Sequence, residues 1–156
     1  MDDSKSIAGY LSVSKMVILT QTDTTVGFLS QNKDRLSHIK NRLPVKSYLI
    51  NFFDFKNLKK NLRVPKEHKK TIRRAKKTTF VVKNQAFRVA KPKTSSKILR
   101  DFCWCYSTSA NKSGCSFEEN FAKENADIII LNSYGLKENP PSALIKLNHK
   151  KRLKLR

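Results

Sequence analysis

Hydroxyls, an amide and a glycine crowd into Ser107-Thr108-Ser109-Ala110-Asn111-Lys112-Ser113-Gly114, directly after an apolar run. Such side chains donate hydrogen bonds to phosphate or carboxylate oxygens, and a glycine lets the backbone approach a ligand closely. The segment therefore reads as a loop that holds an anion. The plainer reading, an Asx or Ser/Thr turn that satisfies its own backbone, stays open from these residues alone. Two other segments offer what this one lacks. Ile39-Lys40-Asn41-Arg42, followed by Lys46, brings fixed positive charge, with Arg42 as a bidentate fork and Lys40 as a point charge. Residues two apart do not share a helix face, so Lys40 and Arg42 meet one ligand only where a helix has frayed. Otherwise they are solvated charges among many. Thr20-Gln21-Thr22-Asp23-Thr24-Thr25-Val26-Gly27 adds further hydroxyls and a carboxylate. Asp23 is able to orient a base, help hold Mg²⁺ or cap a turn, and capping is the expectation.

Other chemistry finds less support. His38, His68 and His149 lie scattered among Lys and Arg without metal or triad spacing and are expected at the surface. Ser107, Ser109 and Cys105 are nominal nucleophiles, but no base is identifiable beside them. Cys103, Cys105 and Cys115 are odd in number, with the first two flanking Trp104 in an apolar run, which suits reduced thiols in or near the core. A zinc site is the sharper alternative, against which stand the one-residue spacing and the absence of a nearby His.

The elements that must position these residues follow from pattern. Met16 to Leu19 reads as a buried strand delivering the Thr-rich segment at its carboxyl end, where open α/β sheets bind ligands. Leu36, Ile39 and Leu43 recur at i, i+3 and i+7, predicting a helix from about Asn32 to Arg42 with an apolar stripe. Tyr48 to Phe53 reads as a strand, followed by a basic, poorly patterned stretch to Arg63. Pro65 opens a helix over 66–77, which carries seven Lys or Arg in twelve residues. Thr78 to Val82 and Ala86 to Val89 form a hairpin across Lys83-Asn84-Gln85, and Phe102 to Tyr106 is a strand feeding the Ser/Thr/Asn loop. Ser116-Phe117-Glu118-Glu119 has the capping-box pattern, with Phe117 and Phe121 stacked on a helix to about Glu124. Asp127 to Leu131 and Ala143 to Leu147 are strands, and the basic C-terminal tail 149–156 is a last strand or a mobile arm. Strands and helices mix without strict alternation, so the class is α/β: a single domain spanning 1–156, a mixed twisted sheet with flanking helices.

At 156 residues one core is expected. The 33 Lys plus Arg against 12 Asp plus Glu leave a net charge of +21, which calls for a polyanion nearby: nucleic acid, nucleotide phosphates or an anionic membrane surface. No apolar run approaches 18 residues, so no spanning helix is expected and the chain reads as soluble, with no membrane among its partners. Met1-Asp2-Asp3-Ser4 begins acidic and lacks the charged-then-apolar order of a secretory signal, so a cytoplasmic protein is expected.

The three segments together resemble the motifs of the YrdC-like threonylcarbamoyl-AMP synthase family. Thr22-Asp23-Thr24 with Gly27 is similar to its P-T-D-T-x-x-G segment, Lys40-x-Arg42 with Lys46 to I-K-x-R-P-x-x-K-P-L, and Ser109-x-Asn111 to its Ser-x-Asn motif. Thr79 resembles the Thr of P-G-P-x-T, Arg88 the Arg of V-R-V-P, and Ser142 the Ser of S-T-V-V-D. The matches keep family order from about Met16 to Leu147. Departures are Gln21 for a Pro, Val26 for an aromatic, Asn51 for a His, Ala75-Lys76-Lys77 for P-G-P, Ala90 for a Pro and Ala143 for a Thr. The resemblance implies a YrdC-like fold and a nucleotidyltransferase condensing L-threonine, bicarbonate and ATP into threonylcarbamoyl-AMP and pyrophosphate, with Mg²⁺ travelling with ATP. It implies Lys40 and Arg42 as catalytic, and Lys40, Arg42, Lys46, Ser107, Ser109 and Asn111 as binding ATP and phosphate. Thr22, Thr24, Arg88 and Ser142 would bind threonine, and no residue is assigned to a metal. The product would serve modification of the adenosine next to the anticodon, with tRNA or other RNA and a tRNA-modifying transferase complex as partners. A YrdC-like protein that binds double-stranded RNA or tRNA without catalysis is the alternative.

Overall fold

The computed structural model describes residues 13–43, 46–90 and 97–156; the acidic start at Met1 to Ser4 lies outside them. In chain order the elements are β1 (Ile18–Gln21), β2 (Val26–Ser30), α1 (Lys33–Ile39), β3 (Leu49–Phe52), α2 (Phe55–Asn61), a 3₁₀ turn (Lys66–His68), α3 (Lys69–Arg74), β4 (Thr78–Val82), β5 (Gln85–Val89), α4 (Lys97–Asp101), β6 (Trp104–Ser109), α5 (Glu119–Glu124), β7 (Ile128–Ile130), β8 (Ala143–Leu147) and β9 (Arg152–Lys154). The strands form one sheet in the order β7-β1-β2-β6-β3-β5-β4-β8-β9. Pairs β1/β7, β3/β5 and β4/β8 are parallel and the rest antiparallel, so the sheet is mixed and the class is α/β, as the sequence implies.

The buried side chains fall into three clusters rather than the single core expected. One gathers Leu19, Phe28, Leu36, Tyr48 and Ala122. A second holds Phe52, Leu58, Ile72, Phe80 and Phe87. The third centres on Ile18, Leu29, Phe53, Leu99 and Cys105. Among the described residues no helix is long and apolar enough to cross a membrane.

Local chemistry explains where elements stop. Asn32 caps α1 by accepting from the backbone N–H groups of Asp34 and Arg35 at 3.0 and 3.1 Å. The helix ends at Ile39, short of the expected Arg42, because Asn41 adopts the left-handed conformation at φ 43°. Arg42 N then donates to Ser37 O and Asn41 N to His38 O, the pair of bonds that defines a Schellman end. Leu43 consequently leaves the expected stripe and is 74% exposed. The β4/β5 hairpin closes at Val82 and Gln85, with Lys83 and Asn84 both at positive φ, a type I′ turn that needs two residues rather than the three expected.

Several expectations need correction. The stretch after Asp54 is helical: Asp54 Oδ1 caps α2 through Asn57 N at 2.6 Å, and Leu58 is buried with Phe55 and Leu62 packed beside it. The helix expected over 66–77 is a 3₁₀ turn plus α3, ended at Ala75, where the backbone turns extended. Strand β6 runs to Ser109, three residues beyond its expected end, because Ser107 pairs with both Leu29 and Leu49. Ser107 to Ser109 are thus strand, not loop. The capping box does not form: α5 begins at Glu119 with no side-chain cap, Phe117 N bonds Glu138 instead, and Phe121 packs edge-on against Phe28 at 6.4 Å. The tail forms β9 against β8. His68 is buried, its Nε2 at 2.8 Å from Asn148 O, while His38 and His149 are exposed. All three cysteines are free; Cys105 is buried, but Cys115 is exposed rather than near the core.

Candidate functional site

The turn between β1 and β2 is built from its own threonines. Thr22 Oγ1 donates to Thr25 O at 2.6 Å and accepts from Thr24 N, which leaves Asp23 free to leave the turn. It does not cap there, contrary to expectation. Its Oδ1 accepts from Arg88 Nη1 at 3.0 Å, an ion pair in which both side chains are largely buried.

Arg88, on β5, organises this end of the site. Nη1 also donates to Thr24 Oγ1 at 2.7 Å, and Nη2 donates to Thr79 Oγ1 at 2.9 Å and Ser142 Oγ at 3.1 Å. The Thr79 and Ser142 hydroxyls bond each other at 2.8 Å. Three segments, the β1–β2 turn, β4 and the residue before β8, thus converge on one planar cation, whose fork of donors suits the task. Only Nε, buried, has no partner.

Beside this cluster lies a cavity of about 260 Å³ whose wall includes Thr22, Thr24, Arg88, Ser142, Ser107 and Ser109. Thr25, Gly27, Leu49, Thr108, Pro141 and Arg156 complete it. The wall is close-built at Gly27, where an added Cβ would sit 3.0 Å from Thr108 O. Arg156 arrives through the ribbon of β8 and β9, with Nε donating to Ser142 O at 3.2 Å. The sequence reading singled out Thr79 but gave it no role, and it passed over Thr25, Thr108 and Arg156. For Arg156 no signal separates it from the other cations of the tail.

Lys40, Arg42, Lys46 and Asn111 are not part of that wall. Lys40 is buried and points at the loop after β6: Nζ donates to Ser109 O at 3.0 Å, to Asn111 Oδ1 at 3.1 Å and to Asn111 O. Ser113 Oγ returns a bond to Lys40 O at 2.6 Å, and Asn111 Nδ2 donates to Cys115 O. Lys40 therefore clamps the loop that follows Ser109. Burial, then the neighbouring Arg42, bring its ammonium down to about 8, against an opposing pull from Cys115. The guanidinium of Arg42 stacks over Tyr48 at 4.8 Å and donates to Ser47 O at 3.3 Å. Lys46 is exposed. Burial also pushes the Cys105 thiol up to about 12, so it stays protonated and inert at neutral pH. Among the described residues no three His, Cys, Asp or Glu side chains gather as a metal site would need.

No family model and no curated sequence matches the chain. Solved structures do. It superposes on P. abyssi Sua5 complexed with L-threonine with a TM-score of 0.74 at 19% identity, covering 96% of this chain and 52% of that one. The chain has the YrdC-like fold of Sua5. It spans about half the length of Sua5. E. coli YciO gives a TM-score of 0.69 at 16% identity, covering 97% of this chain and 88% of its own. Full-length HypF in its phosphate- and nucleotide-bound form gives 0.71 at 15%, with 97% of this chain and 28% of HypF covered. At these identities the likeness to Sua5 is one of fold, and the chemistry has to be argued from the cavity.

Proposed function

We propose that the chain is a nucleotidyltransferase that joins L-threonine, bicarbonate and ATP into threonylcarbamoyl-AMP and pyrophosphate. The observation that carries this reading is the shared cavity, in which Thr22, Thr24, Arg88 and Ser142 lie beside Ser107 and Ser109. Donors suited to an amino acid and donors suited to a phosphate are thus close enough for their ligands to react. The neighbour Sua5 structure holds L-threonine and the HypF structure holds phosphate and nucleotide, which is in keeping with an amino acid and a nucleotide as ligands of this fold.

The L-threonine amine first condenses with bicarbonate to give N-carboxythreonine and water, and in the proposed step a carboxylate oxygen of that carbamate forms a bond to the α-phosphorus. The bond from that phosphorus to the bridging oxygen breaks, and pyrophosphate leaves with the electron pair. Catalysis is then a matter of positioning and charge neutralisation. Thr22, Thr24 and Ser142 offer hydroxyls to the amino acid, and Arg88 offers positive charge. Ser107 and Ser109 take nucleotide oxygens, with Arg156 balancing charge on the same wall. Lys40 acts through the loop it clamps, holding Ser109 and Asn111 in place, while Arg42 and Lys46 add positive potential near the nucleotide. Mg²⁺ enters with ATP. Asp23 is committed to Arg88, so the triphosphate oxygens would hold the ion. The product would pass its threonylcarbamoyl group to tRNA through a modifying transferase.

Pyrophosphate release from Mg-ATP by the purified chain tests this. Release that needs both L-threonine and bicarbonate, and falls at least about tenfold in Arg88→Lys and Asn111→Ala, is expected. Release without either co-substrate, or none in the folded protein, overturns it.

A further inference from the structure

Gln21 and Asn51 are two of the positions at which the chain departs from the family pattern, and the fold brings them together. Both line a narrow cavity of about 10 Å³ beside the β1–β2 turn, with Thr20 and Asp23 on its polar side and members of the third apolar cluster closing the rest. The Gln21 amide is fixed in orientation, because Oε1 accepts from Lys137 N at 2.8 Å and Nε2 is left as a donor. That Nε2 is buried and has no hydrogen-bond partner in the protein, and the same holds for Oδ1 of Asn51, a residue 3% exposed. A donor and an acceptor thus share one wall without bonding each other. Buried amide groups are costly to leave unmatched. The space between them is the size of one water, too small for an amino acid, bicarbonate or a phosphate.

What Gln21 holds is the segment that leads into the main cavity. Lys137 and Asn139 belong to an exposed run after β7. It is tied to the β1–β2 turn by the Lys137 bond to Gln21, by Val26 N donating to Lys137 O at 3.1 Å, and by Asn139 N donating to Thr25 Oγ1 at 3.3 Å. Two residues on, Pro141 and Ser142 enter the cavity wall, where the Ser142 hydroxyl meets Arg88.

We propose that one water seated between Gln21 Nε2 and Asn51 Oδ1 locks the Gln21 side chain, and that Gln21 is thereby a positioning residue for the segment 137–142. The water accepts from Nε2, donates to Oδ1 and has its second hydrogen for Thr20 or Asp23 on the same wall. Held at both ends, the amide keeps one rotamer and the segment keeps its place. Freed at Nε2, the side chain turns to solvent for a partner and the Lys137 bond goes with it. The effect on turnover rests on the synthase reading, whereas the water and its hold on the segment do not.

Nuclear magnetic resonance of the full chain tests this. A long-lived water is expected to give a cross-peak to the Gln21 side-chain amide protons, and the Lys137 N–H to exchange slowly with deuterium. Asn51→Leu alters no bond of the segment itself. It is nonetheless expected to abolish the water cross-peak and to speed Lys137 exchange about tenfold, as Gln21→Met does directly, with exchange at Phe80 in β4 unchanged. Asn51→Val serves should Asn51→Leu not fold. No cross-peak in the wild type, or unchanged Lys137 exchange in the folded Asn51 variant, overturns the inference. In turnover, Asn51→Leu and Gln21→Met each raise the KM for threonine by more than they lower kcat, since the segment places Ser142; a loss confined to kcat overturns the positioning role. Absence of pyrophosphate release from the wild type sinks the synthase reading alone, because the resonance measurements need no turnover and still decide the water.

Discussion

Asp23 and Arg88 meet at 3.0 Å across 65 positions of sequence, with side chains only 12% and 8% exposed. Removing the carboxylate leaves a buried guanidinium with its charge uncompensated, which typically costs about 3–5 kcal/mol. Asp23→Ala is therefore expected to lower the urea midpoint strongly. Asp23→Asn, which keeps an acceptor but not the charge, should lose less. Equal midpoints for wild type and Asp23→Ala would show that the pair contributes nothing.

The Lys40 ammonium titrates near 8, and its three acceptors need the charged form. A neutral amine has two N–H donors, so the clamp on the loop weakens as pH rises through about 8. Pyrophosphate release is expected to be full below that pH and to decline above it, whereas Lys40→Arg removes the decline. Global stability runs the other way. The folded value lies below the unfolded one of 10.5, so between about 8 and 10.5 the unfolded chain binds more protons and stability contributed by this group rises with pH. Parallel pH profiles of activity and unfolding separate the two effects; a flat activity profile from pH 7 to 9 would sink the clamp.

Asn41 holds the left-handed position that ends α1. Glycine takes that conformation without a Cβ penalty, so Asn41→Gly should leave the melting temperature nearly unchanged. A β-branched residue pays about 1–2 kcal/mol, and Asn41→Val should show it as a melting temperature several degrees lower. Because Lys40 and Arg42 flank this residue, Asn41→Val also tests whether their separation matters to turnover.

At Gly27 the cavity wall leaves little room for a side chain. In Gly27→Ala the new methyl meets a backbone carbonyl, that of Thr108, at 3.0 Å, with Thr22 Cγ2 at 3.4 Å. Strand β2 has to shift, at about 1–3 kcal/mol. On the synthase reading the KM for threonine rises more than kcat falls, since the displaced Thr22 belongs to the threonine side. An unchanged KM with reduced kcat would place Thr22 outside the amino-acid subsite.

Much of the fold was legible because alternation and turn chemistry agree locally. Thr78 to Val82 and Ala143 to Leu147 appear as read, and Lys83-Asn84 turns where a short polar pair should. Helix α2 escaped notice because Lys56, Lys59 and Lys60 mask a stripe of Phe55, Leu58 and Leu62, although Asp54 carried a cap signal. The capping box misled because the helix starts only at Glu119, whose carboxylate pairs forward with Lys123 at 2.6 Å rather than reaching back to Ser116. In the site, the residue types were legible while their partnerships were not. Nothing local tells that Lys40 spends its donors on the loop after β6, or that Asp23 answers Arg88 rather than its own turn. Those choices are made by the tertiary fold, in which Arg88 of β5 reaches the β1–β2 turn across β6 and β3, the two strands that separate β5 from β2 in sheet order.

That order has a consequence for how the chain comes into being. The partners of Arg88 come from the β1–β2 turn, from β4 and from the segment before β8, so Asp23 and Ser142 bracket nearly everything between. During synthesis the guanidinium keeps water in place of the Ser142 hydroxyl until the segment before β8 has been made. Closing such long loops precedes any reward in contacts, which makes the route slow. The arginine that organises the cavity thus completes its set of partners only with Ser142, and a chain truncated before Ser142 would carry every motif up to that point without a finished site.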